Sequence, residues 1–182
     1  EFLDPEILRT HLASVILQMG YLRLGHPERF PFIEPPESQQ IREGFRTLRE
    51  LRAVRHNGSL TQLGRKLARL PIDPRFGAML LAGVERGVTH ELLVLVAILS
   101  IQDPRERPLE KQQQADQAHS HFKNERSDYI SYLNLWGWYQ TVAKESSQRE
   151  LRQLCRRYFL NFMRMREWYE LYQQLLKIIK EA

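Results

Sequence analysis

The chemistry available to this 182-residue chain lies mostly in its arginines. Between Arg149 and Lys180 stand eight cations (Arg149, Arg152, Arg156, Arg157, Arg164, Arg166, Lys177, Lys180) against Glu150, Glu167 and Glu170, an excess equal to the formal net charge of +5 of the whole chain. Tyr158, Phe159, Phe162, Trp168, Tyr169 and Tyr172 interleave with them. A guanidinium donates two hydrogen bonds at once to phosphate oxygens, and an exposed ring can stack a base. Arg156, Arg157 and Arg164 are therefore candidates for phosphate contact. The competing reading is a solvated arginine face above a core stripe, because most of the aromatics fall at core spacing. Arg105-Glu106-Arg107, between Pro104 and Pro108, is a second cationic spot, and Arg105 is a candidate on its chemistry alone.

Catalytic patterns are missing. No Gly-rich phosphate loop leads into Lys-Ser/Thr, and no Asp-Glu-x-His box, Gly-x-Ser-x-Gly elbow or His-Glu-x-x-His pair occurs. The chain alone is expected to be no enzyme and to hold no cofactor or metal. His119 and His121, two apart, would point to different faces of a helix, which suits a solvated pair better than a metal site. The single cysteine, Cys155, cannot form a disulfide within the chain and reads as buried filler. The longest apolar run, Leu92 to Leu99, falls short of the ~20 residues that span a bilayer. The opening Glu1-Phe2-Leu3-Asp4 lacks a signal-peptide pattern and reads as cut from something longer, so a cytoplasmic, membrane-free setting is expected.

Positioning these residues requires helices. Asp4-Pro5-Glu6 reads as a capped start, followed by Leu8, Leu12, Val15, Ile16, Met19 and Leu22 at helical spacing and Gly25 as the stop. The proline-rich loop from Phe30 to Pro36 follows, then a helix with Ile41, Phe45, Leu48 and Leu51 on one face. Asn57-Gly58 between Ala53–His56 and Ser59–Thr61 signals a tight β-hairpin with both turn residues at positive φ. Thr61 is expected to cap a short helix through Leu70. Helix, helix, hairpin and helix make the pattern of a winged-helix unit.

Beyond it, Asp73-Pro74-Arg75 repeats the cap-plus-proline start, and Gly87 is the expected left-handed stop. Thr89 is expected to cap a helix from His90 to Ser100, apolar all round and so the buried centre of a bundle. Gln102 to Pro108 should be an exposed charged loop, and Glu110 to His121 a solvated helix or mobile connection. Ser127 starts the next helix, Ser147-Gln148-Arg149-Glu150 forms a capping box, and Asn161 caps a last helix striped by Met165, Trp168, Leu171, Tyr172, Leu175 and Ile179. The fold class is mainly α, with a small winged-helix unit and short β-hairpin over residues 1–66 and a helical bundle over 67–182.

The stretch Leu60-Thr61-Gln62-Leu63-Gly64-Arg65-Lys66-Leu67-Ala68-Arg69-Leu70-Pro71-Ile72-Asp73-Pro74-Arg75 resembles the C-terminal helicase-associated region of DEAH-box RNA helicases. So do Ile98-Leu99-Ser100, Asp128-Tyr129 through Trp136, Leu154-Cys155 through Asn161-Phe162, and Arg164-Met165-Arg166-Glu167. The likeness runs in order along nearly the whole chain, and Ser100 to Pro108 is most similar to bacterial HrpA-type members. It implies a degenerate winged helix and a ratchet-like bundle that pack on RecA-like motor domains and close a channel around single-stranded RNA. It implies RNA-backbone contact from Ser100 and from Arg107, although eukaryotic relatives usually carry an apolar and aromatic stretch where this chain has Gln102 to Glu106. ATP and Mg would then belong to the motor domains of the parent chain.

The function expected is a non-catalytic helicase module that grips single-stranded RNA weakly and without sequence preference, through Ser100, Arg105, Arg107, Arg156, Arg157 and Arg164. The alternatives are a protein-docking scaffold and a winged-helix DNA regulator. The latter would read a groove with Arg42, Arg46, Arg49 and Arg52.

Overall fold

Helix α1 spans Pro5–Tyr21, α2 spans Ser38–Glu50 and α3 spans Gln62–Arg69. The computed structural model describes residues 5–182, and side chains from Leu12 onward. The cap expected at Asp4 and the side chain of Leu8 lie outside the described residues. Ala13, Ile16, Leu17 and Met19 of α1 are buried, as are Ile41, Phe45 and Leu48 of α2, which packs along α1. Periods of three and four residues on both helices thus bring two apolar stripes together, as ridge-and-groove packing requires.

The expected β-hairpin does not form, and no strand is present among the described residues. Val54 and Leu60 make one isolated antiparallel bridge, flanked by Arg55 N–H to the Ser59 carbonyl at 2.8 Å and Thr61 N–H to the Ala53 carbonyl at 2.9 Å. Gly58 takes positive φ (83°) but Asn57 does not, so the tight two-residue turn is absent. Asn57 instead accepts hydrogen bonds on Oδ1 from the Ser59 amide and hydroxyl. Helices claim the chain on both sides, leaving no room for a ladder. Thr61 Oγ1 donates to the Arg52 carbonyl at 2.7 Å and accepts from Gly64 N–H, capping α3 as expected.

Helix α4 spans Pro74–Glu85, opened by Asp73 Oδ1 accepting from Arg75 N–H at 2.7 Å. The chain divides into two compact units, one running through Ala82 with Ile178–Ala182 and the other covering Gly83–Lys177. The second holds α5 (Thr89–Leu99), a 3-10 turn (Leu109–Lys111), α6 (Gln112–His119), α7 (Asp128–Glu145), α8 (Gln148–Arg157) and most of α9 (Phe162–Lys180). Its core is α5, with Leu93, Val94, Val96, Ala97 and Ile98 buried. The expectation of burial all round holds only in part, since Leu92 and Leu95 are half-buried and Leu99 stays 39% exposed. Trp168 of α9, fully buried, donates its indole N–H to the Val94 carbonyl at 2.9 Å and packs on Trp136 of α7, ring centres 5.0 Å apart. Buried indoles are placed where that N–H finds an acceptor.

Helix starts largely follow the expected caps: Ser127 accepts from Ile130 N–H, Ser147 and Glu150 close a capping box, and Asn161 accepts from Arg164 N–H. Thr89 is a correction, because the cap position of α5 is Val88 and Thr89 is already helical. Helix ends depart further from expectation. Arg23, Arg52, Gly87 and Phe159 all take the left-handed φ at which paired backbone bonds close a helix. Only Gly87 was expected there. Arg23, rather than Gly25, follows α1 directly in that role.

A Cβ on Gly64 would stand 2.0 Å from the Ala53 carbonyl oxygen, where neither group is free to move. Gly64→Ala should therefore destabilise the chain by about 3 kcal/mol, the scale of severe overpacking. The urea midpoint measures it, and an unchanged midpoint would mean that α3 does not rest on residue 53.

Candidate functional site

The site begins where α5 runs out. Ser100 caps that helix and turns its hydroxyl back to donate to the Val96 carbonyl at 2.7 Å. Asp103-Pro104-Arg105 then repeats the turn of Asp73-Pro74-Arg75, with Asp103 Oδ1 accepting from Arg105 N–H at 2.9 Å. Here no helix follows, because the chain docks on the turn between α8 and α9. Asn161 N–H donates to the Pro104 carbonyl at 2.7 Å, Glu106 N–H donates to the Phe159 carbonyl at 2.8 Å, and Arg105 bridges Leu160. Asn161 Nδ2 adds a bond to Glu106 Oε1 at 2.8 Å. Pro104 is fully buried, so the exposed loop expected over Gln102 to Pro108 is in its middle a packed one.

This docking decides what each arginine can do. Arg105 Nη2 donates to Asp103 Oδ2 at 2.8 Å and to the Tyr132 hydroxyl at 3.0 Å, with its guanidinium carbon 4.7 Å from the Tyr132 ring centre. Burial raises the Asp103 pKa, but the hydrogen bonds and charge of Arg105 outweigh it and hold the carboxyl below its ordinary value. Arg107 makes a fork on Asp116 of α6, Nε to Oδ1 at 2.7 Å and Nη2 to Oδ2 at 2.9 Å. Both side chains of that pair are more than half exposed (55% and 53%), so solvent screens it and a competing anion can reach it. Arg164, half buried in the first turn of α9, donates to the Asp103 carbonyl at 3.2 Å.

Arg156 and Arg157, in the last turn of α8, are exposed and have no ion-pair or hydrogen-bond partner for their side chains among the described residues. Arg156 borders a cavity of about 310 Å³ with Glu106, Arg152 and Asn161. The structure thus gathers Arg105, Arg156 and Arg164 around the α8–α9 turn. Ser100 stays at the end of α5, and Arg107 turns to α6. What the sequence reading missed are the partners: Asp103, Asp116, Tyr132 and the Asn161 side chain. Of these only Asp103 carried a local signal, the Asp-Pro-Arg spacing already seen at Asp73.

Other candidates find ordinary places. Nε2 of His119 lies 3.1 Å from the Phe159 carbonyl oxygen, and His121 packs on Phe122 and Tyr158. Cys155 is buried, which pushes its thiol up to about 11. On α2, Arg46 pairs with Glu50 and Arg49 lies over the Phe45 ring. No helix among the described residues is long and apolar enough to cross a membrane.

Residues 45–72 match the helicase-associated (HA2) winged-helix domain, and residues 73–132 match the HA2 ratchet-like domain. Residues 45–132 thus belong to this helicase-associated family. Over its whole length the chain is 46% identical to the ATP-dependent RNA helicase HrpA of Escherichia coli and 46% identical to the HrpA homolog of Haemophilus influenzae. Over 96% of its length it is 31% identical to the pre-mRNA-splicing factor ATP-dependent RNA helicase prp22 of Schizosaccharomyces pombe. It spans 14% of the length of each of these relatives.

The Asp103–Arg105 pair has a pH signature. A carboxyl more acidic in the folded chain than in the unfolded one stabilises fully above the unfolded value, near 3.9, and loses that contribution as pH falls through the folded value. Asp103→Asn should therefore melt below the wild type at pH 7, with the gap closing as the pH drops under about 4. Thermal melts across that range decide it, and a gap independent of pH would rule out the charged pair as its source.

Proposed function

We propose that this chain is the non-catalytic accessory module of an ATP-dependent RNA helicase, with a winged-helix domain over residues 1–66 and a ratchet-like domain over 67–182. It helps form the single-stranded RNA channel and holds the strand by its phosphates. ATP and Mg act in RecA-like motor domains of the same parent chain, in the cytoplasm, and the chain moves RNA only through them. The observation that carries this reading is the exposed arginine pair Arg156–Arg157 at the end of α8, Arg156 bordering a docked loop whose own arginines and Arg164 already have carboxylate or carbonyl partners. Free guanidiniums make the primary grip. Arg107 joins when a phosphate replaces Asp116 on its fork, which an exposed pair permits at little cost. Ser100 joins by turning its hydroxyl from Val96 to the strand. Arg105 and Arg164 hold the loop against the α8–α9 turn and reach the strand from there.

A docking scaffold without RNA contact is the second reading. The internal pairing of Arg105 with Asp103 favours it, because an arginine so held serves the loop's shape. The two readings separate on competition: RNA must reduce cross-linking of a protein partner to the Arg156–Arg157 surface if the first is right.

Binding of a fluorescein-labelled uridine 12-mer, followed by anisotropy between 50 and 200 mM salt, should weaken steeply with salt in the wild type. Each phosphate contact on a single strand contributes about 0.7 to the log–log slope. Replacing Arg156 and Arg157 by alanine should flatten that slope by about twice this amount. In the parent helicase, Arg107→Ala should impair unwinding. No binding at low salt, together with intact unwinding by the Arg107 variant, would overturn the reading.

A further inference from the structure

A second, larger cavity of about 640 Å³ opens between α7, α8 and α9, within the range of ~300–1,000 Å³ typical of small-molecule sites. Tyr139, Phe162 and Tyr169 give it aromatic walls, and Lys144 and Arg152 stand exposed on its lining. The one carboxylate lining it, Glu170, is paired with Arg166 at 3.1 Å. Arg152 lies over the face of Phe162, its guanidinium carbon 4.9 Å from the ring centre. These same two residues also line the smaller cavity beside Arg156 and Asn161, so they form the wall that both cavities share. One feature points to a ligand with a polar ring. Gln140 lines the cavity, and its amide nitrogen is buried without a hydrogen-bond partner. A buried donor left unpaired costs free energy, and rotation about the last, soft torsion of the side chain turns the amide NH2 toward an acceptor or its oxygen toward a donor.

We propose that this cleft seats one unstacked nucleobase against the rings of Phe162 and Tyr169, hydrogen-bonded by Gln140, with the attached phosphate on Arg152 and Lys144. An aliphatic ligand would leave the amide unpaired, and a bare anion would leave the rings unused. A base joined to a phosphate uses both. Single-stranded RNA as the source of that base rests on the function proposed above. The strand would pass from Arg156 over the shared Arg152–Phe162 wall and place its base in the larger cavity.

The probes are uridine and adenosine 5′-monophosphates, observed by saturation-transfer NMR with the 182-residue chain, in parallel with the uridine 12-mer and an abasic 12-mer in anisotropy. Transfer to the base protons is expected, and Gln140→Leu should abolish or greatly reduce it. The same variant should weaken the uridine 12-mer about fivefold, as loss of one or two hydrogen bonds does, and leave the abasic 12-mer unchanged. Arg152→Gln should weaken both oligomers. An unchanged melting temperature shows that the variants fold. RNA binding without base transfer overturns the pocket and leaves the phosphate grip standing. Base transfer without RNA affinity overturns the grip and keeps the pocket. Transfer unaltered in Gln140→Leu, or preference for an aspartyl-phenylalanine peptide over both nucleotides, overturns the base site.

Discussion

Two backbone hydrogen bonds organise the candidate site in the second unit: Asn161 N–H to the Pro104 carbonyl and Glu106 N–H to the Phe159 carbonyl. They tie a loop without helix or strand to the turn between α8 and α9. Backbone groups buried in such a loop must find partners, and here they find them on a turn whose own geometry needs closing. Everything polar nearby follows from that tie. Asp103 faces Arg105, Asn161 reaches Glu106, and Arg164 meets the Asp103 carbonyl. The loop is thereby a fixed platform, and the cations left over are those of α8.

Much of the fold was legible because the signals were local. Apolar spacing marks the buried stripe of α2 and part of that of α1, where Ile16 and Met19 are buried but Leu22 is exposed, and the caps at Thr61, Ser127, Ser147 and Asn161 start their helices. The helix ends were harder to read, for a physical reason. Glycine announces a left-handed residue because it carries no penalty there, and Gly87 is such a case. Arg23, Arg52 and Phe159 accept a strain of roughly 1–2 kcal/mol that tertiary packing must offset, and no local pattern announces that. The hairpin failed in a similar way. Asn57-Gly58 is a sound turn signal, but the demands of α2 and α3 reach to within a residue or two of the bridge.

The candidate site was legible in its residue types and not in its pairings. Arginines beside a proline-broken turn suggested an open cationic spot, whereas Arg107 meets Asp116 nine residues away and Arg105 meets Tyr132 twenty-seven away. Such partners are set by how α6 and α7 pack, which sequence spacing does not encode. The two Asp-Pro-Arg segments make the point together. Each forms the same local turn, yet one opens a helix and the other an irregular loop, because only the second has another segment waiting for its backbone groups.

The Phe159 carbonyl has a further effect, on a side chain that no role had been given. It accepts from Glu106 N–H and also faces Nε2 of His119 at 3.1 Å. An oxygen of this kind only accepts, so the imidazole nitrogen turned toward it must carry the hydrogen. The backbone of one interhelical turn therefore selects the tautomer of a ring forty residues earlier, leaving Nδ1 of the neutral imidazole with its lone pair unprotonated.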